Sequence, residues 1–320
     1  MKLFLLYDTL SFTSQKLGDT LFKIYFLLFI VMVAWGFNLS ALVILVNHIE
    51  PVTLTSARIF TAGIFVLLIA KMIGIFRFPT KEEWKTIFYI TIFNVALHHT
   101  LLAIGLTKTS GVNAAIILGS APLITMILSI ILLRDRVSRV RKLGFLLGFI
   151  GIIVTSLAGS ESIGAVSFGD ILIFLSIFVQ SFSFILISKL NPSFDPRLLT
   201  GYMLIIGSLF IFLYSLFAEG NVSQLNSLFS WKLGLIFIFS ALGATAFGHM
   251  TYNYAIKKVG PTESVIFVNL NTLFAILGAA IFLKEPILTS HFIGLILIIL
   301  GVFLGSGTIE YMIRKRRMSP

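Results

Sequence analysis

Two adjacent histidines lie within an apolar stretch of the chain. The sequence "NVALHHTLLAIGL" (94–106) places His98 and His99 among residues that suit a lipid environment. A neutral imidazole donates and accepts a hydrogen bond, and because it titrates near neutral pH it can relay protons. Consecutive helical residues project about 100° apart, so the two rings cannot share one target. We expect His99, with His249 placed 150 residues later, to be the functional one.

The pair His99 and His249 has three interpretations, which the sequence leaves open. The rings line a binding cavity, couple a proton, or form a structural hydrogen bond between helices. Metal binding is not expected, since acidic residues are scarce in the apolar runs and two histidines without a third ligand make a poor site.

Other polar side chains also interrupt the apolar runs. Polar groups are costly in hydrocarbon and therefore face a cavity or a partner helix. Each of these side chains either contacts the substrate or has a structural role in packing or in a hydrogen bond between helices. With His99 and His249, the candidate cavity residues are Trp35, Asn38, Gln180, Asn269 and Asn271.

Two charged residues are candidates for proton coupling or charge pairing. Arg58 lies inside an apolar run, where it either binds a carboxylate in a bidentate manner or extends toward the interface to hold helix carbonyls. Glu263 follows Pro261 in the first turn of a helix, a position that the helix dipole favours. Its functional role would be to load a proton.

The elements that position these residues are membrane helices. Apolar residues make up 58% of the chain and charged residues only 12%, which is typical of a membrane protein. The apolar runs are continuous and near the length that spans a bilayer, so helices are predicted rather than barrel strands. Ten spans are predicted at 24–46, 52–72, 86–106, 112–133, 143–158, 170–188, 198–218, 233–256, 264–283 and 292–309.

The basic residues define an orientation. If the N-terminus is cytoplasmic, 20 of the 24 lysines and arginines fall in cytoplasmic segments, among them "RDRVSRVRK" (134–142) and "RKRR" (314–317). The positive-inside rule then places both termini in the cytoplasm and explains the net charge without nucleic acid. Residues 1–23 and 310–320 are predicted to be cytoplasmic tails of a protein of the cell membrane.

The chain contains an internal repeat. The segments "ALHHTLLAIGLTKTSGVNAAIILGSAPLITMILSIILLRD" (96–135) and "AFGHMTYNYAIKKVGPTESVIFVNLNTLFAILGAAIFLKE" (246–285) align without a gap at an offset of 150. Two repeats of five spans each are predicted, at 24–158 and 170–309. Because five is odd, the second repeat enters the membrane from the opposite side. The fold class is therefore an all-α membrane protein with ten helices in two inverted five-helix repeats.

The segments "VAWGFNLSALVILVNHIEPVTLTSARIFTAG" (33–63), "ILLRDRVSRVRKLGFLLGFIGI" and "IFLKEPILTSHFIGLILIILGVFL" resemble the EamA family of the drug/metabolite transporter superfamily. The resemblance extends over residues 24–309. It implies a ten-helix inverted-repeat carrier, commonly an exporter of amino acids or related metabolites.

The predicted function is therefore secondary transport of a small polar metabolite by alternating access, with amino-acid efflux favoured. Metabolite or nucleotide-type uptake and, in a different class, an intramembrane enzyme are the alternatives. We find no HExxH or GxSxG motif and no Walker-type phosphate loop in the sequence, so neither an enzyme nor an ATP-driven pump is expected. A small-molecule substrate and the lipid bilayer are the expected partners, no cofactor is expected, and homodimerisation is left open.

Overall fold

The computed structural model describes residues 2–109, 114, 117–157, 167–220, 222–284, 286–307, 309–310 and 312, with side chains described from Thr20 onward except that of Ser156. These residues form helices and contain no strand, which confirms the all-α prediction. The main helices are α1 (Lys2–Val46), α2 (Pro51–Met72), α3 (Lys81–Leu106), α4 (Ile117–Leu132), α5 (Arg139–Ser156), α6 (Phe168–Ser188), α7 (Pro196–Ala218), α8 (Trp231–Val259), α9 (Pro261–Leu283) and α10 (Thr289–Gly305). A short 3₁₀ helix, Val222–Phe229, precedes α8.

Seven of these helices are long and apolar enough to cross a membrane. They are the Thr20–Val46 part of α1, then α2, α3 and α6 to α9. Helices α4 and α10 are apolar but shorter, and α5 begins with a basic turn containing Arg139, Arg141 and Lys142. The chain is therefore a multi-pass membrane protein, as its composition predicts.

Several helices begin earlier than the hydropathy pattern predicts. The predicted starts at 86 and 143 become Lys81 and Arg139, because polar residues outside the apolar runs cap the first turns. Thr80 accepts a hydrogen bond from the Glu83 backbone N–H in a capping box, and Ser138 accepts one from the N–H of Arg141. Pro261 starts α9 at its first turn, as predicted.

Some predicted segments lie wholly or partly outside the described residues. They are the start of the fourth predicted span at 112, most of the connection between the two predicted repeats at 159–169, and most of the tail 310–320. At the other end of the chain, α1 begins at Lys2. The predicted N-terminal tail is therefore helical and continuous with the first span.

The repeat extends to irregular backbone features. Helix α3 contains a π-helical segment at Ile92–Leu97, and α8 contains one at Phe239–Phe247, which overlaps it at the offset of 150. Arg134 after α4 and Lys284 after α9, also 150 residues apart, are the two non-glycine residues with positive φ in the described chain, at 59° and 62°. Both helices thus end with a left-handed residue.

Glycines bring α5 and α10 into backbone contact. A Cβ on Gly144 would lie 2.3 Å from the backbone nitrogen of Gly305, one on Gly301 would lie 2.5 Å from that of Gly148, and one on Gly151 would lie 2.7 Å from the Gly294 carbonyl oxygen. The residue numbers rise along α5 while they fall along α10, so the two helices are antiparallel. The absence of side chains at these glycines permits the close packing of the two helices.

The helix contacts of the two halves are reciprocal. Helix α1 packs against α8 and α9, while α6 packs against their counterparts α3 and α4. Helix α2 packs against α7, and α5 against α10. The buried core lies where these pairs meet and includes Leu28, Phe145, Ile187, Phe194, Tyr252 and Ile298.

Candidate functional site

Three of the predicted cavity residues meet between α1, α3 and α8. The ring centroids of Trp35 and His249 are 5.3 Å apart, and those of His99 and His249 are 6.3 Å apart. Tyr252, one turn after His249, has its ring centroid 5.2 Å from Trp35. We call Trp35, His99, His249 and Tyr252 the ring cluster. It draws side chains from both repeats.

The π-helical segment of α8 holds Trp35 in place. Gly248 N–H donates to the Thr245 carbonyl instead of the Ala244 carbonyl that a regular α-helix would use. Trp35 Nε1 donates to that Ala244 oxygen at 2.8 Å. A Cβ on Gly248 would lie 2.3 Å from Trp35 Nε1, so the indole requires glycine there.

The two adjacent histidines contact different helices. His98 is buried, and its Nδ1 lies 3.1 Å from the Ser176 carbonyl oxygen and 2.9 Å from Ser176 Oγ on α6. His99 instead faces His249, and its buried Nε2 has no hydrogen-bond partner among the described residues. This arrangement gives His98 a bracing role and leaves His99 with unused hydrogen-bonding capacity.

Arg58, on α2, contacts the π-helical segment of α8. The residue is 7% exposed, and its Nη1 donates to Thr245 Oγ1 at 2.7 Å. The Thr245 hydroxyl donates in turn to the Ser240 carbonyl at 2.8 Å. Within the described chain Arg58 forms no salt bridge, and its Nε has no hydrogen-bond partner.

Buried amides lie on α1 and α9. Asn269 is 1% exposed, and neither atom of its amide has a hydrogen-bond partner in the described chain. The Oδ1 atoms of Asn38 and Asn271 are likewise buried and unpartnered within it. Because an unpaired buried polar group costs free energy, such groups are expected to have a partner in some state of the protein.

Gln180 is half-buried on α6, and no described contact joins it to the ring cluster. The backbone carbonyl oxygen of Gln180 accepts a hydrogen bond from Ser183 Oγ. Ser183 Oγ in turn accepts one from Asn94 Nδ2 at 2.7 Å. Sequence reasoning did not select Asn94. Its place on α3, within the same stretch as the two histidines, was the available signal.

Glu263 forms an ion pair with Arg141 and not with Arg58, the other charged candidate. Its Oε1 is 3.2 Å from Arg141 Nη1, whereas Arg58 is bonded to Thr245. Arg141 was attributed to membrane topology alone, so its pairing with Glu263 was missed. The ion pair joins α5 to α9 and thereby the two repeats.

A cavity of about 430 Å³ surrounds this ion pair. It lies at the face of the bundle that carries the basic loops, between the ends of α4, α6 and α8 and the starts of α5 and α9. Lys257 Nζ, in the cavity wall, donates to the carbonyls of Ser188 and Leu190. The charged lining residues are Asp135, Arg136, Arg141, Lys189, Lys257 and Glu263.

The described residues contain no cluster of three or more histidine, cysteine or acidic side chains that could hold a metal ion. The site consists instead of aromatic rings, imidazoles, amides and one guanidinium. Such groups can bind a polar organic molecule through hydrogen bonds, stacking and one charge.

Comparison with known proteins gives consistent matches over almost the whole chain. The uncharacterized transporter YyaM of Bacillus subtilis (strain 168) is 28% identical over 295 residues, which cover 90% of this chain and 95% of YyaM. An uncharacterized transporter of Archaeoglobus fulgidus is 25% identical over 300 residues, covering 92% of this chain and all of the other. The WAT1-related protein At3g02690, chloroplastic, of Arabidopsis thaliana is 21% identical and covers 84% of this chain.

The fold is also found in a crystal structure of another protein. That structure superposes with a TM-score of 0.72 at 15% sequence identity and covers 93% of this chain and 99% of the other chain. At this identity the likeness concerns the fold alone.

The family comparison matches the chain twice. Residues 22–157 and 167–307 each match the EamA-like transporter family. The transporter relatives align over nearly their full length, and the bundle of apolar helices suits transport across a membrane. This chain therefore belongs to the EamA-like transporter family.

Proposed function

We propose that the protein is a secondary carrier that exports amino acids or related small polar metabolites by alternating access. Ten membrane helices form two inverted five-helix repeats, and the substrate site lies between them. The protein lies in the plasma membrane, and both of its termini are in the cytoplasm. The protein acts without a cofactor and catalyses no covalent chemistry.

The ring cluster carries this proposal. Trp35 and His99 from the first repeat meet His249 and Tyr252 from the second at the contact between the halves. A rocking motion of the halves would change the distances among these side chains more than contacts made within one half. Bound substrate would therefore be sensed by both halves at once.

The inverted arrangement is supported by antiparallel contacts between counterpart helices. In the pair α2 and α7, Gly63 packs against Ile205 near the middle, while Thr53 at the start of α2 bonds Glu219 after the end of α7. The glycine contacts give the same antiparallel direction to α5 and α10. Corresponding helices that run in opposite directions are expected of inverted repeats.

The cavity around Arg141 and Glu263 supplies an entry from the cytoplasm in this proposal. It lies among the basic loops that the positive-inside rule assigns to that side. The ion pair joins the halves across this cavity. Separation of the halves would have to break it, whereas closure would re-form it.

Metabolite profiling tests the proposal. Cells that overproduce the protein are compared with cells carrying an empty vector, after amino acids have been supplied as dipeptides. We expect one or a few amino acids to accumulate selectively in the medium, with less effect from a His99→Ala variant of equal membrane abundance. Unchanged external pools, with a metabolite gained inside the overproducing cells, would contradict export and favour uptake.

A further inference from the structure

We propose that Arg58 binds a carboxylate of the transported molecule, so that the substrate is a monocarboxylate-bearing compound held between Arg58 and the ring cluster. This inference rests on the proposed transport function and specifies its substrate. It concerns a group on α2, outside the set of amides and imidazoles described above as the candidate cavity.

The charge of Arg58 is not compensated within the described chain. A guanidinium stays protonated in proteins, and burying a charge is costly unless it is paired. Arg58 is 7% exposed, yet the salt bridges of the described chain involve Arg77, Arg141 and Arg197 and not Arg58. A negative charge is therefore missing from its surroundings, and a substrate can supply it.

The Arg58 side chain also has unused hydrogen-bonding capacity. A guanidinium has five N–H donors in a planar fork. Within the described chain, Nη1 donates to the neutral Thr245 hydroxyl, and the buried Nε has no partner. A carboxylate can accept two parallel N–H bonds from such a fork, including one from Nε.

Arg58 lies beside the ring cluster. Arg58 bonds Thr245, and Trp35 bonds the carbonyl of the preceding residue, Ala244. A molecule whose carboxylate reached Arg58 would thus lie next to the indole of Trp35. One isolated positive charge matches one negative charge, which favours a carboxylate over a doubly charged phosphate ester.

The charged cavity at the basic face is compatible with this substrate. Its lining contains the four basic residues Arg136, Arg141, Lys189 and Lys257 against the two acidic residues Asp135 and Glu263. The local potential therefore favours the approach of an anionic group.

The competing explanation is that Arg58 is only a structural link between α2 and α8 through Thr245. The two roles differ in what they predict for Thr245→Val. If Arg58 is only a link, this variant and Arg58→Gln should have similar consequences. If Arg58 binds the substrate, Thr245→Val should lose stability while it still distinguishes a carboxylate from its amide.

The test compares matched ligand pairs on the purified full-length protein in detergent. Thermal unfolding, followed by tryptophan fluorescence, is titrated with leucine, phenylalanine and glutamine and with the corresponding α-carboxamides. Wild-type protein should bind at least one acid at least about tenfold more tightly than its amide, because a charge-assisted contact is lost. Arg58→Gln should abolish that ratio, and Arg58→Lys should retain part of it.

The control is Lys71→Gln, which removes an exposed positive charge from the last turn of the same helix. It should keep the full ratio, as should Thr245→Val. If Arg58→Gln cannot be purified, the ratios for Arg58→Lys and Thr245→Val still decide between the two roles, because only the binding role predicts a lower ratio for Arg58→Lys than for Thr245→Val.

Three results would overturn the inference: no acid-specific shift in the wild-type protein, equal binding of acids and amides, or an undiminished ratio in Arg58→Gln. The proposed function fails separately. Export of an amine or a neutral compound would contradict carboxylate binding and preserve transport, whereas acid-specific binding without any flux would preserve the role of Arg58 and contradict transport.

Discussion

Adjacent histidines on a membrane helix can serve two neighbours, because consecutive side chains point about 100° apart. In α3, His98 is bonded to Ser176 of α6, while His99 faces His249 of α8. One ring therefore stabilises a contact between the repeats, and the other remains available to a ligand.

Replacing the two histidines should separate these roles. We expect His99→Ala to lower flux by about tenfold, equal to about 1.4 kcal/mol, through loss of one ligand contact, with normal membrane insertion. We expect His98→Ala to lower thermal stability by about 1–3 kcal/mol, because Ser176 loses its buried partner. Export assays and thermal unfolding in detergent measure the two effects.

His48→Ala serves as the control. His48 is exposed after the end of α1, and in the described chain its ring forms a hydrogen bond only with the Ile44 carbonyl. It should change neither quantity. Full flux in His99→Ala would remove His99 from the substrate site.

Gly248 provides the room that Trp35 occupies. We expect Gly248→Ala to displace the indole and to cost about 1–3 kcal/mol of stability, because its Cβ would lie 2.3 Å from Trp35 Nε1. Tryptophan emission and thermal unfolding would report the change. Gly243→Ala is the matched control in the same π-helical segment, where the nearest atom lies at 3.3 Å. Equal effects of the two changes would contradict this account of Trp35.

At the scale of elements, the two π-helical segments lie in the helices that carry His99 and His249. π-Helical turns are rare and are often found at functional positions. The segment in α3 immediately precedes the two histidines, and the segment in α8 ends just before Gly248. In both repeats the irregular turn sets the direction of the polar side chains that follow it.

The interface between α5 and α10 depends on the absence of side chains. We expect Gly144→Val to destabilise the protein by about 1–3 kcal/mol or more, because a Cβ there would lie 2.3 Å from the backbone nitrogen of Gly305. Thermal unfolding in detergent measures the loss. Ile296→Phe adds bulk to an exposed position of α10 and should leave stability nearly unchanged. A tolerated Gly144→Val would show that these helices can separate without cost.

The helical, multi-pass character of the chain could be predicted from the sequence because the length of an apolar run that spans a membrane follows from bilayer thickness. The starts of two helices, by contrast, differ from the predicted residues 86 and 143. Polar caps at Thr80 and Ser138 add about one turn to the beginning of each helix. The site was less accessible to prediction. Contacts such as Arg141 with Glu263 and Trp35 with Ala244 join residues 122 and 209 positions apart, so no local pattern reveals them.

At the scale of the whole molecule, the repeats share a framework and differ in the site. Arg134 and Lys284 repeat one backbone conformation, and α3 and α8 repeat one irregular turn. In contrast, Gly248 admits Trp35, whereas the equivalent His98 binds Ser176. In the proposed carrier, such differences would let two similar halves bind an asymmetric substrate.

Sided labelling tests whether the repeats are inverted. The chain has no native cysteine, so single cysteines can be placed at Val140 and Ser290, which are equivalent at the offset of 150. We expect a membrane-impermeant thiol reagent to label the Ser290→Cys protein in intact cells and the Val140→Cys protein only after permeabilisation. Labelling of both from one side would contradict the inversion.

The most direct test of alternating access is exchange flux in liposomes that contain the purified protein. A labelled substrate, chosen by metabolite profiling, is measured as it crosses the membrane with and without unlabelled substrate on the opposite side. We predict saturable flux that is accelerated by the opposing substrate and reduced in the His99→Ala variant. Flux equal to that of protein-free liposomes would contradict transport, and flux that neither saturates nor responds to opposing substrate would contradict alternating access.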